Sequence, residues 1–414
     1  MSKDMPDFFQ LLGKANNFTL RRAVERLREG LFDPFGVSLL TARESQLNTL
    51  FDQGAQDIAK NKGTHLCVCG SYGQGKSHSL TYLRQRALQQ GFVVSFISLD
   101  PREVPMHDFR QVYRALVSQL SFPDSDDSLV KVWERWTKGG YKQQLKGKKA
   151  DPLSVIPDCM PHVFKAVLTA LARENMQLSR RQKRLKKHVT FRPREFPWIL
   201  ANSLNGNSPP LVRLRQALKY REVSFYKEQS LVCKGWEPYF DMVRGLGLMF
   251  RQMGYKGWVL LFDEAEAIAQ TRINARRTSY TVLHRFFCPD TPLHGLYPVF
   301  AFTDDFFATV KGEDYERVDT RKETEQLYFP ENYAKAWRRV NIHNLQDLSD
   351  REWQTLAEKL IHVHGKAYDW QPEPGRLQKP LAATLKEMGA REARLKIKAL
   401  VNQLDFVQQG VVLG

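Results

Sequence analysis

Short apolar runs alternate along this chain with stretches of helical periodicity. Leu66 to Cys69 is one such run, Val93 to Leu99 a second, Val259 to Phe262 a third, and Tyr297 to Phe302 a fourth. Near-continuous apolar runs, rather than strict alternation, suit strands of a parallel sheet covered on both faces. Amphipathic segments fall between and around them. Two lie before the first strand, one opening at Arg21–Leu27 and one from Glu44 to Lys62, with Asp33-Pro34-Phe35-Gly36 expected to be a turn between them. Further helices are expected from Ser77 to Gln90, His107 to Leu120, Met160 to Met176, Tyr239 to Met253 and Tyr280 to Phe287. Between residues 122 and 256 the strand pattern is interrupted, and from 349 onward it gives way to helices, over 349–366 and 380–404. The class is α/β, a parallel sheet flanked by helices. The expected domains are an N-terminal helical lead (1–62), a core (63–339) carrying an insertion at about 122–256, and a small all-helical C-terminal unit (340–414).

Composition narrows the class. A chain of 414 residues that is 42% hydrophobic and 11% aromatic can bury a large core. No apolar run approaches the roughly 20 residues of a membrane span, and the first residues are mixed in charge, so a cytoplasmic protein with no membrane partner is expected. Five cysteines lack metal-ligand spacing and read as reduced, structural residues. Charge changes the picture more. The formal net charge is +17, and residues 131–256 alone hold 26 Lys and Arg against 9 Asp and Glu, which accounts for all of it. A neutral body carrying one basic block points to a polyanion-binding surface. Arg180, Arg181, Lys183, Arg184, Lys186, Lys187, Arg192 and Arg194 form its densest tract and are the candidate DNA contacts, chiefly to phosphates. Aromatics among them, Phe191, Trp198, Tyr220, Phe225 and Tyr226, could stack bases. Solvated helix faces or an acidic protein partner would use the same charge.

The chemistry-bearing motif follows the first strand. Gly70-Ser71-Tyr72-Gly73-Gln74-Gly75-Lys76-Ser77 satisfies G-x-x-x-x-G-K-S, a Walker A phosphate-binding loop, between a strand and a helix as the mechanism requires. Its glycines let backbone N–H groups wrap phosphates at the positive end of the helix. Lys76 is expected to reach the β- and γ-phosphates and Ser77 to hold Mg²⁺, so the cofactors are ATP and Mg²⁺. The third apolar run ends in Asp263-Glu264, the Walker B pattern, in which Asp263 would orient Mg²⁺ through its water shell and Glu264 would polarise the attacking water. The fourth run ends in Thr303 and Asp304, of which Thr303 is the first candidate for touching the γ-phosphate and the water.

The order of these parts resembles that of AAA+ ATPases, nearest the initiator and loader branch: helical lead, Walker A, strand, helix, insertion, Walker B, sensor-like strand and helical lid. More specifically, the chain is similar to the BrxD family of ATP-binding proteins of BREX phage-defence systems. The resemblance rests on the loop at Gly70–Ser77, Gly91-Phe92, Pro105 with Val112-Tyr113-Arg114, Trp198-Ile199-Leu200 with Gly206, Gly254-Tyr255-Lys256-Gly257, Asp263-Glu264-Ala265-Glu266, Ala390-Arg391 and Leu404-Asp405. It implies an AAA+ ATPase working beside other defence-system proteins at DNA, as a motor, loader or regulatory switch. It also implies a cis arginine at the γ-phosphate, for which Arg391 at the opening of a lid helix is the candidate. Rings of this kind place an arginine on a neighbour's nucleotide; Arg272, Arg276, Arg277, Arg317 and Arg321 are candidates by position, and a homo-oligomer is the corresponding assembly. The basic tract from Arg180 to Arg194 is not associated with that family. The competing functions are a signalling ATPase gating a protein partner without DNA contact, a transposition-type target-selection ATPase, and a small-molecule kinase, against which Asp263-Glu264 and the helical lid argue.

Overall fold

The structure is a computed structural model, and it describes residues 5–145, 151–175, 195–223, 231–312, 329–389 and 391–410. Its centre is a six-stranded sheet among those residues, made of β1 (Leu66–Cys69), β2 (Val93–Ser98), β3 (Leu120–Ser121), β4 (Trp258–Asp263), β5 (Leu296–Phe302) and β6 (Ile342–Asn344). The order across the sheet is β3-β2-β4-β5-β1-β6. All neighbours are parallel except the short antiparallel β2–β3 pair. β1 therefore sits between β5 and β6, while the next strand in sequence, β2, lies three places away. The chain must cross the sheet after β1, and its carboxyl end opens onto the crevice where open α/β sheets bind ligands.

Period-2 alternation sorts each strand's residues between two layers. Cys67, Cys69, Val93, Ile97, Trp258, Leu260, Phe262, Phe300 and Phe302 face one core. Leu66, Val68, Val94, Val259, Leu261, Val299 and Ala301 face the other. This is why the strands read as unbroken apolar runs, with each fully buried large side chain contributing roughly 1.5–3 kcal/mol. The second layer is built by α4 (Glu44–Ala59) and α5 (Lys76–Gln89), through residues such as Phe51, Ile58, Leu80 and Leu83. The first layer is larger. It takes in α6 (Phe109–Ser118), which Asp108 N-caps, and the helices Ile273–Phe287 and Glu237–Gln252. The helices Leu129–Arg135, His162–Asn175, Glu195–Leu204 and Leu211–Tyr220 join the same core through Trp133, Phe164, Phe196 and Leu218. The described helices of the segment that breaks the strand pattern are thus packed on one face of the sheet. Tyr220 is buried there, whereas Trp198 is 66% exposed.

A third core lies off the sheet. The helices α1 (Met5–Lys14), α2 (Asn17–Arg28) and α3 (Pro34–Leu40) pack against Asp350–Tyr368, Pro374–Met388 and Ala393–Gln408. The two ends of the chain thereby make one helical unit. Arg28 donates to both oxygens of Asp405 at 2.8 Å, and buried His364 donates to the same carboxylate at 2.9 Å.

Two expectations are corrected. The turn at Asp33–Gly36 is the start of α3: the Asp33 carboxylate accepts from Phe35 N–H at 2.9 Å, and Pro34 takes a first-turn position where its missing N–H costs nothing. The C-terminal segment from 340 is not all helical, because Ile342–Asn344 forms β6 and pairs with β1. Three residues with an exposed, half-buried, exposed pattern carry too little hydrophobic signal to declare a strand. No helix among the described residues is long and apolar enough to cross a membrane.

Candidate functional site

β1 ends at Cys69, and the chain passes through Gly70–Gly75 before α5 begins at Lys76. Gly73 and Gly75 have φ of +80° and +95°, values that a side chain would strain. Lys76 is only 8% exposed, and its ammonium donates to the carbonyls of Gly70 at 2.8 Å and Ser71 at 3.1 Å. The loop is braced from the ends of neighbouring strands. Ser71 N–H donates to Gln74 Oε1 at 2.7 Å, Gln74 Nε2 donates to Asp347 beyond β6 at 3.0 Å, and Ser71 Oγ donates to Asp304 beyond β5 at 2.9 Å.

The C-terminal helices touch the loop directly. The Glu392 carboxylate lies on Gly73, 2.9 Å from where a Cβ would stand. The Arg394 guanidinium sits 5.4 Å over the ring of exposed Tyr72 and pairs with Glu392 at 3.4 Å. Neither Glu392 nor Arg394 was signalled by the sequence, because both are long-range contacts of surface residues in an ordinary helix start.

The end of β4 supplies the carboxylates. Asp263 is buried and accepts from Glu264 N–H at 3.0 Å. Glu264 is exposed and held in the left-handed region at φ 53°, ψ 36°, where its Oε2 accepts from Ser98 Oγ at 3.0 Å. Ser98 closes β2 and is the register partner of Asp263, so the parallel pairing sets it beside the Asp-Glu step. Glu266 follows in a short 3₁₀ turn, and its Oε2 is buried with no hydrogen-bond partner. Burial pushes its carboxyl above the usual range, against the pull of Lys76, while Asp263 and Glu264 add to the rise. Burial likewise lifts Cys69, just before the loop, to about 12. His78, one turn into α5, is held down to about 4 by burial and donates to Thr41 Oγ1 at 3.0 Å, since that hydroxyl is spent on Val37 O.

These elements surround one cavity of about 390 Å³. Tyr72–Ser77, Asp263, Glu264 and Glu266 line one side; Arg391, Arg394 and Lys396 line another. Leu31, Phe32, Val37, Leu345, Leu356 and Ile397 are among its apolar lining residues. Lys76, Ser77, Asp263, Glu264 and Arg391 are therefore brought together, and the Arg391 guanidinium lies 3.9 Å from Met388 Sδ. Gly70 and Ser71 form the base of the loop. Thr303 does not line the cavity; it stands at the N-cap of the helix Asp304–Lys311 without a side-chain capping bond, and its neighbour Asp304 makes the loop contact. The candidate DNA contacts from Arg180 to Arg194 lie outside the described residues, as do Phe191, Phe225, Tyr226, Arg317 and Arg321.

Among the described residues no group of three or more His, Cys, Asp or Glu side chains could hold a metal ion by itself. The site nevertheless fits magnesium bound together with phosphates. The donors are hard oxygens, a hydroxyl (Ser77) stands beside the loop lysine, and one carboxylate oxygen is orphaned. Mg²⁺ keeps several waters and takes few protein ligands when phosphates supply the rest.

A parallel sheet with a glycine-rich phosphate loop after its first strand, and carboxylates at the end of a nearby strand, defines the class of P-loop nucleotide-binding proteins. The sequence profile of the family described as BREX system ATP-binding protein BrxC/D matches residues 19–183 and 236–411. The chain belongs to that family, and is an ATP-binding protein of BREX defence. No curated protein and no solved structure matches it.

Proposed function

We propose that the chain is a DNA-associated AAA+ ATPase that binds and hydrolyses Mg-ATP, its C-terminal helices serving as a lid over the cleft. The observation that carries this reading is the single cavity in which phosphate loop, strand-end carboxylates and C-terminal arginines meet. A triphosphate carries up to four negative charges. The loop amides, Lys76, Arg391, Arg394 and Lys396 supply complementary charge, and the apolar lining suits a base. Magnesium, when bound, would offset the negative charge of the phosphates. Ser77 and Asp263 would hold it, Asp263 through water.

For hydrolysis a water attacks the γ-phosphorus in line, the bond to the bridging oxygen breaks, and ADP and phosphate leave. Glu264 takes the proton of that water. In the present geometry Glu264 is engaged by Ser98 and must turn from it to reach a water at the phosphate. The basic excess in residues 131–256 supports DNA association through phosphates. Other defence-system proteins and further copies of this chain are the proposed partners.

Calorimetry with Mg-ATP and steady-state turnover, each with and without duplex DNA, test the reading. Lys76→Ala should abolish tight binding. Glu264→Gln should preserve binding and lower turnover by about a hundredfold or more. Wild-type affinity in the first variant or wild-type turnover in the second overturns it. Salt-insensitive failure to bind DNA, with turnover unmoved by DNA, would instead favour an ATPase gating a protein partner.

A further inference from the structure

The Asp-Glu step has a third carboxylate behind it that the mechanism above leaves idle. Glu266 lines the cavity, yet its Oε2 is sealed from solvent and bonded to nothing. A buried acceptor without a donor forfeits its hydration with nothing in return, and more so when charged, so such a group in a folded chain needs an explanation. Its charged neighbours are Lys76, Asp263 and Glu264. Lys76 is not the missing donor: two of its three N–H groups are already spent on Gly70 O and Ser71 O, and the third is the one left for a phosphate. Three carboxylates around one ammonium leave a local excess of negative charge that a divalent cation would offset. The same three do not converge closely enough to ligate a cation themselves. What satisfies both facts is a donor that arrives with the cation, namely one of its water ligands.

We propose that Glu266 is a positioning residue: its side chain turns toward the cleft as ATP enters, and the carboxylate oxygen that is now sealed accepts a hydrogen bond from a water of the incoming magnesium, which helps set where that magnesium sits. This rests on the reading of the cavity as a Mg-ATP cleft. It adds a residue outside the Asp-Glu pair, acting on the coupling between metal and nucleotide rather than on proton transfer.

The experiment measures the ATP dissociation constant of the full chain by calorimetry in Mg²⁺ and in EDTA, for the wild type, Glu266→Gln and Glu266→Asp. Wild-type protein should bind ATP in EDTA and more tightly in Mg²⁺. Glu266→Gln should retain or slightly improve the affinity in EDTA, because a negative charge leaves the phosphate site, and should lose about tenfold of the Mg²⁺ enhancement, the lower end of outer-shell effects on metal affinity. Glu266→Asp keeps the charge but withdraws the oxygen by one methylene, and should lose a comparable share. An Mg²⁺ enhancement equal to wild type in folded Glu266→Gln or Glu266→Asp overturns the proposal. So does an equal loss in EDTA and in Mg²⁺, which would mean that Glu266 only braces Lys76. If Glu266→Gln fails to fold, the Asp variant decides alone. Wild-type protein that binds no ATP in either buffer would instead sink the reading of the cleft, a separate result.

Discussion

Lys76 is held in place before any phosphate arrives, its ammonium bonded to two loop carbonyls and almost closed to water. The G-x-x-x-x-G-K-S spacing makes that geometry readable in advance, since glycine adopts the positive φ at Gly73 and Gly75 without the strain a side chain would bring. Glu264 is legible as a residue but not as a conformation. A non-glycine in the left-handed region costs on the order of 1 kcal/mol or more, and here the Asp263 carboxylate accepts from Glu264 N–H. Histidine behaviour also depends on enclosure. His65 and His78 both fall to about 4 through burial, from an ordinary value of 6.5. The unfolded chain therefore takes up protons between pH 6.5 and 4 that the folded chain refuses; their contribution is present above 6.5 and lost as pH falls toward 4. The melting temperature should drop by a few degrees between pH 7 and pH 5. His78→Gln, measured by the same thermal scans, should show a shallower drop; an unchanged slope would exclude His78 as a source.

Elements find their partners by charge and register as much as by apolar faces. β2 and β4 pair residue for residue from Val93–Trp258 to Ser98–Asp263, and this pairing, not proximity in sequence, sets Ser98 against Glu264. The helices at the two ends of the chain are joined at Asp405, whose carboxylate takes two bonds from Arg28 and one from buried His364. Removing it leaves a buried imidazole N–H without its acceptor and takes two bonds from the Arg28 guanidinium, which keeps that to Glu25. Asp405→Ala should destabilise the fold by about 2 kcal/mol, as expected for hydrogen bonds between charged groups. It should also weaken ATP binding, because Leu27, Trp353, Leu356 and Ile397 of this unit wall the cavity. Denaturant unfolding and calorimetry check the two effects; loss of stability with unchanged affinity would separate the helical unit from nucleotide binding.

At the scale of the molecule, charge and packing divide the interrupted segment between them. Trp133, Phe164, Phe196 and Leu218 of its described helices enter the core on one face of the sheet, so these helices are fixed to the ATP-binding body. The segment's basic excess supports the proposal of a polyanionic partner. If that partner is DNA, binding is phosphate-based, weakly sequence-specific and steeply salt-dependent. Each engaged Lys or Arg contributes about 0.9 to the log–log salt slope on duplex DNA. Neutralising Arg180, Arg181, Lys183, Arg184, Lys186 and Lys187 together should flatten that slope and cost several kcal/mol of DNA affinity, while ATP binding without DNA survives. Equal slopes for variant and wild type on one duplex would remove this tract from the interface and favour an acidic protein partner.

The sequence by itself determined the α/β class, the position of the phosphate loop, the Asp-Glu step and the longer helices, because each is written in local spacing: apolar runs, glycines at required dihedrals, a 3.6-residue period. It also marked where the charge lies. Tertiary structure decided the rest. β3 and β6 are too short to show a period, and they exist because a neighbour offers an unpaired edge. The union of the chain's two ends, the seat of Glu392 and Arg394 on the loop, and the choice of Asp304 over Thr303 as the loop's contact all join residues far apart in the chain. So does the stranded oxygen of Glu266, since whether a buried carboxylate has a donor depends on the groups the whole fold brings around it.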